Sequence, residues 1–279
     1  MSKGQASIPL ESIGEVFAQE LSSRSIEVPL LPNIATEVLS SSLDDQSDAS
    51  RLADLIQQDQ GLASHILRVV NSPAFRGSAE IVALQQAIAR IGMERIREIA
   101  LTVSLKGTLF KPTPFDSIVT NAWQHGLRSG LWAKEVARAA VKNVEMAYLC
   151  GLLHNVGVAI AVHRLWQLNK DISDQELATL VDTFADDVGL LLVEEWRLPA
   201  VVGLTLRFQK DFQSAKNAID SVAVSVVGAY FSQAQVNGEL NVEHVLPHAA
   251  VQHLNFYPDD IEKLLQHAER IELTVEGMA

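Results

Sequence analysis

The sequence predicts an all-α fold of two packed helical lobes. Apolar residues recur at helical spacing along most of the 279-residue chain, as Leu52, Leu55 and Ile56 do. No run of alternating strand residues bounded by hairpin turns interrupts that pattern. The β-branched stretch 222–227 is also expected to be helical, because its length and its alanine and glycine content fit a buried helix.

Capping and helix-breaking residues predict where the helices of the first lobe begin and end. Asn33, which follows two prolines, is expected to cap one helix, and Asp48 is expected to cap the next. The sequence Asn-Ser-Pro at 71–73 should end the helix before it. Gly92 should separate two helices that meet at an angle.

A short stiff connection marks the boundary between the lobes. Residues 111–114 read Lys-Pro-Thr-Pro and lie between a helix at 93–110 and one that begins near Asp116. This connection is too short for a flexible linker. We therefore expect a first lobe at 1–111 packed against a second lobe at 115–279, whose last part forms a C-terminal helical extension.

Composition excludes several classes of protein. Hydrophobic residues make up 48% and charged residues 20%, which is typical of a globular chain. The net charge of −12 disfavours broad binding to nucleic acid or to anionic membranes. No signal peptide is visible at 1–11, and the apolar stretch 222–231 is too short to span a bilayer. These features predict a cytoplasmic protein without nucleic-acid or membrane partners.

Seven short stretches of the sequence form one ordered set of motifs. The first lobe carries IQQDQGL at 56–62, ILRVVNSP at 66–73 and AIARIG at 87–92. The second lobe carries WQH at 123–125 and GLLHNVG at 151–157, followed by DVG at 187–189 and EWRLP at 195–199. In order and spacing these motifs resemble the HDOD family, non-catalytic relatives of the HD-type metal phosphohydrolases, over about residues 25–230. The resemblance implies an HD-like helical core in the second lobe.

The resemblance also implies a metal site, which this chain retains only in part. HD phosphohydrolases hold a metal with a histidine on one helix, a His-Asp pair on another and a later aspartate, and the bound ion activates a water molecule. His125 and His154 match the two histidines. Position 155 is asparagine, whose amide oxygen supplies no negative charge to a metal ion.

The later ligand positions are also lost. The resemblance aligns a histidine with Ala185, a histidine pair with residues near 208 and 209, and the last aspartate near Gly228. Apart from Asp211, no histidine or aspartate is expected close enough to replace them. We therefore expect a weak metal site that is vacant, no catalytic residue and no cofactor.

Three interpretations of His125 and His154 stay open at this point. They are buried polar residues bonded to neighbouring groups, or they line a ligand pocket with Asn155 and Arg207, or they form a weak metal site. Nearby, Gly126 and Gly130 are expected to permit close helix packing. Cys150 is expected to be a core thiol.

The resemblance implies a role in bacterial signal transduction, often around cyclic-dinucleotide or stress control. Family members are often fused to receiver or diguanylate-cyclase domains, and none fits in this chain, so the expected partners are other signalling proteins acting in trans. The alternative is a metal-dependent phosphohydrolase acting on a nucleotide or phosphoester, which would need a divalent metal. The sequence indicates neither the signal nor the oligomeric state.

Overall fold

The structure, a computed structural model, describes residues 9–40, 47–75, 77, 79–111 and 113–278, and within these ranges all regular structure is helical. The predicted all-α class is therefore confirmed. The helices of the first half are α1 (Leu10–Ser22), α2 (Asn33–Ser40), α3 (Ser47–Gln58), α4 (Gln60–Val70), α5 (Leu84–Ile91) and α6 (Met93–Leu109). The remaining helices are α7 (Asp116–Ala139), α8 (Val144–Leu153), α9 (Gly157–Leu168), α10 (Asp174–Glu195), α11 (Ala200–Phe208), a 3₁₀ helix (Phe212–Ala218), α12 (Ile219–Val236), α13 (Val242–Val245), α14 (Ala249–His253), α15 (Pro258–Leu265) and α16 (Ala268–Met278).

Most predicted helix boundaries are confirmed. Helix α4 ends at Val70, immediately before the Asn-Ser-Pro sequence, and Gly92 separates α5 from α6 with a φ of 82° that favours glycine. The expected caps at Asn33 and Asp48 are wrong, because α2 already begins at Asn33 and α3 already begins at Ser47. The Asp48 side chain lies outside the described residues. Pro112, in the connection between the lobes, also lies outside the described residues.

Helix α7 forms the centre of the second lobe, with α8 and α12 packed against it. The close approach depends on glycine. A Cβ atom added at Gly130 would lie 2.9 Å from the Tyr148 carbonyl oxygen on α8, and one added at Gly228 would lie 2.6 Å from the Ser129 carbonyl oxygen. A Cβ added at Gly126 would lie 2.8 Å from the Leu152 carbonyl oxygen. The expectation of close helix packing at Gly126 and Gly130 is confirmed.

Helix α1 packs against α9 and α10, although it precedes the first-lobe helices in sequence. The Phe17 and Phe184 rings lie 5.0 Å apart, and Arg164 on α9 forms an ion pair with Glu20. Burial of Phe17 supplies the hydrophobic driving force for this contact. The N-terminal helix thus covers a face of the second lobe.

The C-terminal segment folds back over both lobes. Helix α16 packs against α7 and also against α4. On the α7 side, both guanidinium contacts of Arg128 to the Glu272 carboxylate measure 2.8 Å. On the first-lobe side, the Lys106 ammonium group lies 3.4 Å from the Met278 carbonyl oxygen. The last helix therefore connects the two lobes.

One apolar segment is longer than the stretch noted at 222–231. Helices α8 and α9 with their connecting turn form a 25-residue segment, Val144–Leu168, that is long and apolar enough to cross a membrane. Most of it is buried against other helices, as expected for a core segment. Length and composition alone are weak support for a membrane span.

Candidate functional site

A cavity of about 620 Å³ lies where α7, α10 and α12 meet the turn after α8 and the end of α11. His125, His154 and Asn155 line it, so the structure brings together three of the four pocket residues expected from the sequence. Arg207 is exposed on α11 and does not line the cavity. The predicted pocket therefore lacks that guanidinium group.

His154 is fixed by the turn that ends α8. Its Nδ1 lies 2.7 Å from the Gly151 carbonyl oxygen. Since a carbonyl oxygen can only accept a hydrogen bond, Nδ1 carries the ring proton and Nε2 carries a lone pair in the neutral ring. Burial lowers the pKa of His154 below its ordinary value, which keeps the ring neutral.

His125 reaches the cavity from α7 and is held by α12. Its Nδ1 lies 2.9 Å from the Ser232 hydroxyl oxygen, and its ring meets that of His154 edge-on at 5.0 Å between centroids. Burial, followed by the nearby His154 and Arg128, lowers the pKa of His125 to about 3. Both cavity histidines are therefore neutral at neutral pH.

Asn155 connects the turn after α8 to the backbone of α7. Its amide nitrogen donates to the Ala122 carbonyl oxygen at 2.7 Å, and a Cβ atom at Gly126 would lie 2.8 Å from its amide oxygen. That oxygen is buried without a hydrogen-bond partner among the described residues. The amide thus lies against the surface of α7, where an aspartate would have no proton to donate at neutral pH.

Two of the aligned ligand positions do lie in the cavity. Ala185 and Gln209 both line it, and neither supplies a metal-binding group equivalent to histidine or aspartate. The resemblance aligns the last aspartate near Gly228, and Gly228 itself packs against α7. On α12 the cavity is lined by Ser225, Val226 and Ala229.

Two acidic residues, Asp182 and Asp186, line the cavity, and the sequence interpretation missed both. Asp186 is the one that is bonded to neighbouring side chains. The Gln209 amide nitrogen donates to its carboxylate at 2.9 Å, and Lys210 pairs with it at 2.8 Å. Asp211, the expected substitute, is exposed and bonds to Ser214. A signal was available, since Asp182 and Asp186 are one helical turn apart and share a face.

These residues do not fit a divalent metal ion. Among the described residues, no group of three His, Cys, Asp or Glu side chains is placed to hold one. The Asn155 side chain is hydrogen-bonded to the backbone of α7, and the Asp186 carboxylate is already bonded to Gln209 and Lys210. Two neutral imidazoles alone cannot offset the charge of a catalytic divalent ion.

Cys150 lies close to this region but is not a candidate nucleophile. The thiol is buried, and burial raises its pKa to about 11. A thiol with so high a pKa is protonated and unreactive at neutral pH. The prediction of a core thiol is confirmed.

Comparisons with known proteins identify the family and the fold of the chain. The sequence profile of the HDOD domain matches residues 28–212. An HDOD domain protein of unknown function from Geobacter sulfurreducens superposes with a TM-score of 0.71, at 20% identity, over 96% of this chain and 97% of that one. A protein described as a candidate metal-dependent phosphohydrolase from Shewanella amazonensis gives a TM-score of 0.67, at 19% identity, over 95% and 99% of the two chains. At these identities the two solved structures support a shared fold.

A curated relative extends the match to a longer protein. An uncharacterised protein of Treponema pallidum is 25% identical over 241 residues, which are 82% of this chain and 46% of that protein. This chain therefore spans about half the length of that relative. The profile match covers more than half of this chain, and the chain belongs to the HDOD domain family.

Proposed function

We propose that this protein is a non-catalytic regulatory module of bacterial signal transduction, which acts through protein contacts or by sensing a ligand. The observation that carries the proposal is the hydrogen bond from Asn155 to Ala122 on α7. Because of this hydrogen bond, the residue at the position of the metal-binding aspartate serves helix packing. Without that carboxylate the two histidines lack the third ligand that would hold a metal ion able to activate water.

The rest of the cavity supports the same proposal. At the other aligned positions the cavity presents an alanine methyl group, a glutamine amide, and the small side chains Ser225 and Ala229. A lined cavity of about 620 Å³ is nevertheless within the size range of small-molecule sites. Such a cavity can bind a ligand without converting it.

Regulation by protein contact would place the partners on separate chains or on further segments of a longer protein. HDOD family membership and the length of the Treponema relative are compatible with both arrangements. The proposal includes a cytoplasmic location, where such signalling partners would be found.

A hydrolysis assay tests the proposal directly. The protein, purified without chelators, is incubated with p-nitrophenyl phosphate and a panel of nucleotides in the presence of added Mn²⁺, Fe²⁺, Zn²⁺ or Ni²⁺. We expect no turnover above that of the His154→Ala variant. Metal-dependent turnover that is lost in His154→Ala would contradict the proposal and establish a metal-dependent phosphohydrolase.

A further inference from the structure

The histidine cavity presents a ring nitrogen of His154 that can only accept hydrogen bonds. Nδ1 of His154 must carry its ring proton, because it faces the Gly151 carbonyl oxygen at 2.7 Å. The Nε2 atom of this neutral ring is therefore an acceptor. No described residue forms a hydrogen bond with it.

His125 forms a hydrogen bond with Ser232 whose direction depends on the His125 tautomer. Its Nδ1 lies 2.9 Å from the Ser232 hydroxyl oxygen, and the same hydroxyl group lies 3.4 Å from the His125 carbonyl oxygen. We assign the hydroxyl proton to that carbonyl oxygen, so that Nδ1 donates to Ser232 and Nε2 of His125 keeps a lone pair. No described residue forms a hydrogen bond with that Nε2 atom.

The hydrogen-bond donors around the cavity are already used within the protein. The Thr205 hydroxyl group donates to the Val201 carbonyl oxygen at 3.0 Å. Gln209 donates to the His154 carbonyl oxygen at 3.2 Å and to Asp186. A ligand that needs donors would find few available.

The charged residues at the cavity also favour a ligand that donates hydrogen bonds. Asp182 and Asp186 line it with Lys210 as the one cation among the described lining residues, and Lys210 is exposed and paired with Asp186. The remaining walls are largely apolar and come from several helices: Ile118, Val158, Val181 and Val226. An apolar cavity with unused acceptors and a net negative charge disfavours a phosphate group, which would add further acceptors and negative charge.

We propose that this cavity binds a positively charged, donor-rich small molecule, an amine or amidine carried on an apolar group. The proposal rests on the proposed function, in which the cavity is a binding site without catalysis. Hydrogen bonds from a cationic donor to Nε2 of His125 and of His154 would satisfy both lone pairs. The carboxylates of Asp182 and Asp186 would attract the charge.

Three probes that share one aromatic ring test the ligand class by calorimetric titration at pH 7.5. Benzamidine carries a cationic donor group, benzamide is its neutral counterpart, and phenyl phosphate carries an anion. We expect benzamidine to bind at least about tenfold more tightly than either of the others. Phenyl phosphate binding as tightly as benzamidine, or no benzamidine binding, would overturn the proposal.

Variants locate the binding. His125→Phe removes one acceptor at similar volume, and Asp186→Asn removes one charge, so each should weaken benzamidine binding about tenfold. His163→Phe is the matched control, because His163 lies on α9 and lines a different groove. Binding that is unchanged in both His125→Phe and Asp186→Asn would also overturn the proposal.

Long-range ¹H–¹⁵N spectra of the histidine rings supply a readout without ligand. Both Nε2 atoms should be unprotonated in the free protein, and a proton on either would contradict the assignment of acceptors. The hydrolysis assay separates the two proposals. If the protein neither hydrolyses these substrates nor binds benzamidine, only the proposed ligand class is wrong. If it shows metal-dependent hydrolysis, the proposed regulatory function is itself wrong.

Discussion

At residue 155, the difference between an amide and a carboxylate separates a packing contact from a metal ligand. The Asn155 amide nitrogen donates to the Ala122 carbonyl oxygen, whereas an ionised carboxylate in the same place would meet that oxygen with no proton between them. Restoring the aspartate of the HD enzymes therefore conflicts with the packing of α7. A single substitution should not rebuild the metal site.

The substitution Asn155→Asp should lower the free energy of unfolding by about 1–3 kcal/mol at pH 7.5, because a buried donor is lost and a charge is left unpaired. Urea denaturation measures the change. The same substitution at Asn143 is the control, since its side chain accepts from the Met146 amide at the start of α8, and a carboxylate accepts equally well. Equal losses at both positions would contradict the role of Asn155.

His125 should make the protein less stable in acid. Its pKa of about 3 in the folded protein lies below the ordinary value of 6.5. Between these pH values the unfolded chain binds a proton that the folded protein does not. The stability from the neutral ring is thus complete above pH 6.5 and is lost progressively as the pH falls toward 3. His154, whose pKa is also lowered, acts in the same direction.

The pH dependence of urea unfolding between pH 6.5 and 4.5 tests this. Each such histidine can contribute up to about 1.4 kcal/mol per pH unit to the slope. We expect the His125→Phe variant to show a slope smaller by roughly 1 kcal/mol per pH unit than the wild-type protein. An unchanged slope would mean that His125 is solvated and protonates freely.

At the scale of helices, the position of the cavity depends on glycines that let backbones touch. The closest approach is at the start of α9, where a Cβ atom at Gly157 would lie 1.9 Å from the Ala185 carbonyl oxygen on α10. No side chain fits there without moving one of the helices. This contact fixes the turn that carries His154 and Asn155 relative to α10.

Gly157→Ala should therefore lower the free energy of unfolding by more than about 3 kcal/mol, or prevent folding. Gly107 is the matched control: it lies in α6, is exposed, and has no atom within 4 Å of an added Cβ. Gly107→Ala should raise stability by about 0.5–1 kcal/mol through helix propensity. Comparable effects of the two substitutions on urea midpoints would contradict the close α9–α10 contact.

Local residues explain which helix boundaries were predictable. Gly92 and the Asn-Ser-Pro sequence at 71–73 act through their own backbone preferences, so the sequence alone places those helix ends. The place of Asp186 in the cavity depends on how α10 packs against α11. Its hydrogen bond with Gln209 joins two residues that are 23 positions apart in sequence. The docking of α1 on α10 is equally non-local. Helical periodicity specifies a buried face and does not specify what covers it.

At the scale of the whole molecule, the last helix joins the two lobes. Helix α16 contacts α7 through Glu272 and approaches the Asn-Ser-Pro turn of the first lobe, where a Cβ atom at Gly277 would lie 2.6 Å from the Ser72 hydroxyl oxygen. The α16 residues that make these contacts, Glu272 and Gly277, lie beyond residue 212, where the HDOD profile match ends. The C-terminal extension is therefore an integral part of the packing between the lobes.

Glu272→Ala should cost about 2–3 kcal/mol of unfolding free energy, because it leaves the buried Arg128 guanidinium group without its carboxylate. Glu276→Ala, about one helical turn further along α16 at an exposed position, is the control and should change stability by less than about 0.5 kcal/mol. Hydrogen exchange should increase along α16 in Glu272→Ala alone. Equal exchange in the two variants would argue against α16 as the connection.

The metal content of the purified protein tests the central claim most directly. Protein prepared without chelators, together with His125→Ala and His154→Ala variants, is analysed for iron, manganese, zinc and nickel by mass spectrometry. A cavity with two neutral imidazoles, and no third His, Cys, Asp or Glu side chain placed beside them among the described residues, should hold far less than one ion per chain, and the variants should not differ from wild type. Close to one ion per chain in the wild-type protein, lost in both variants, would contradict the account.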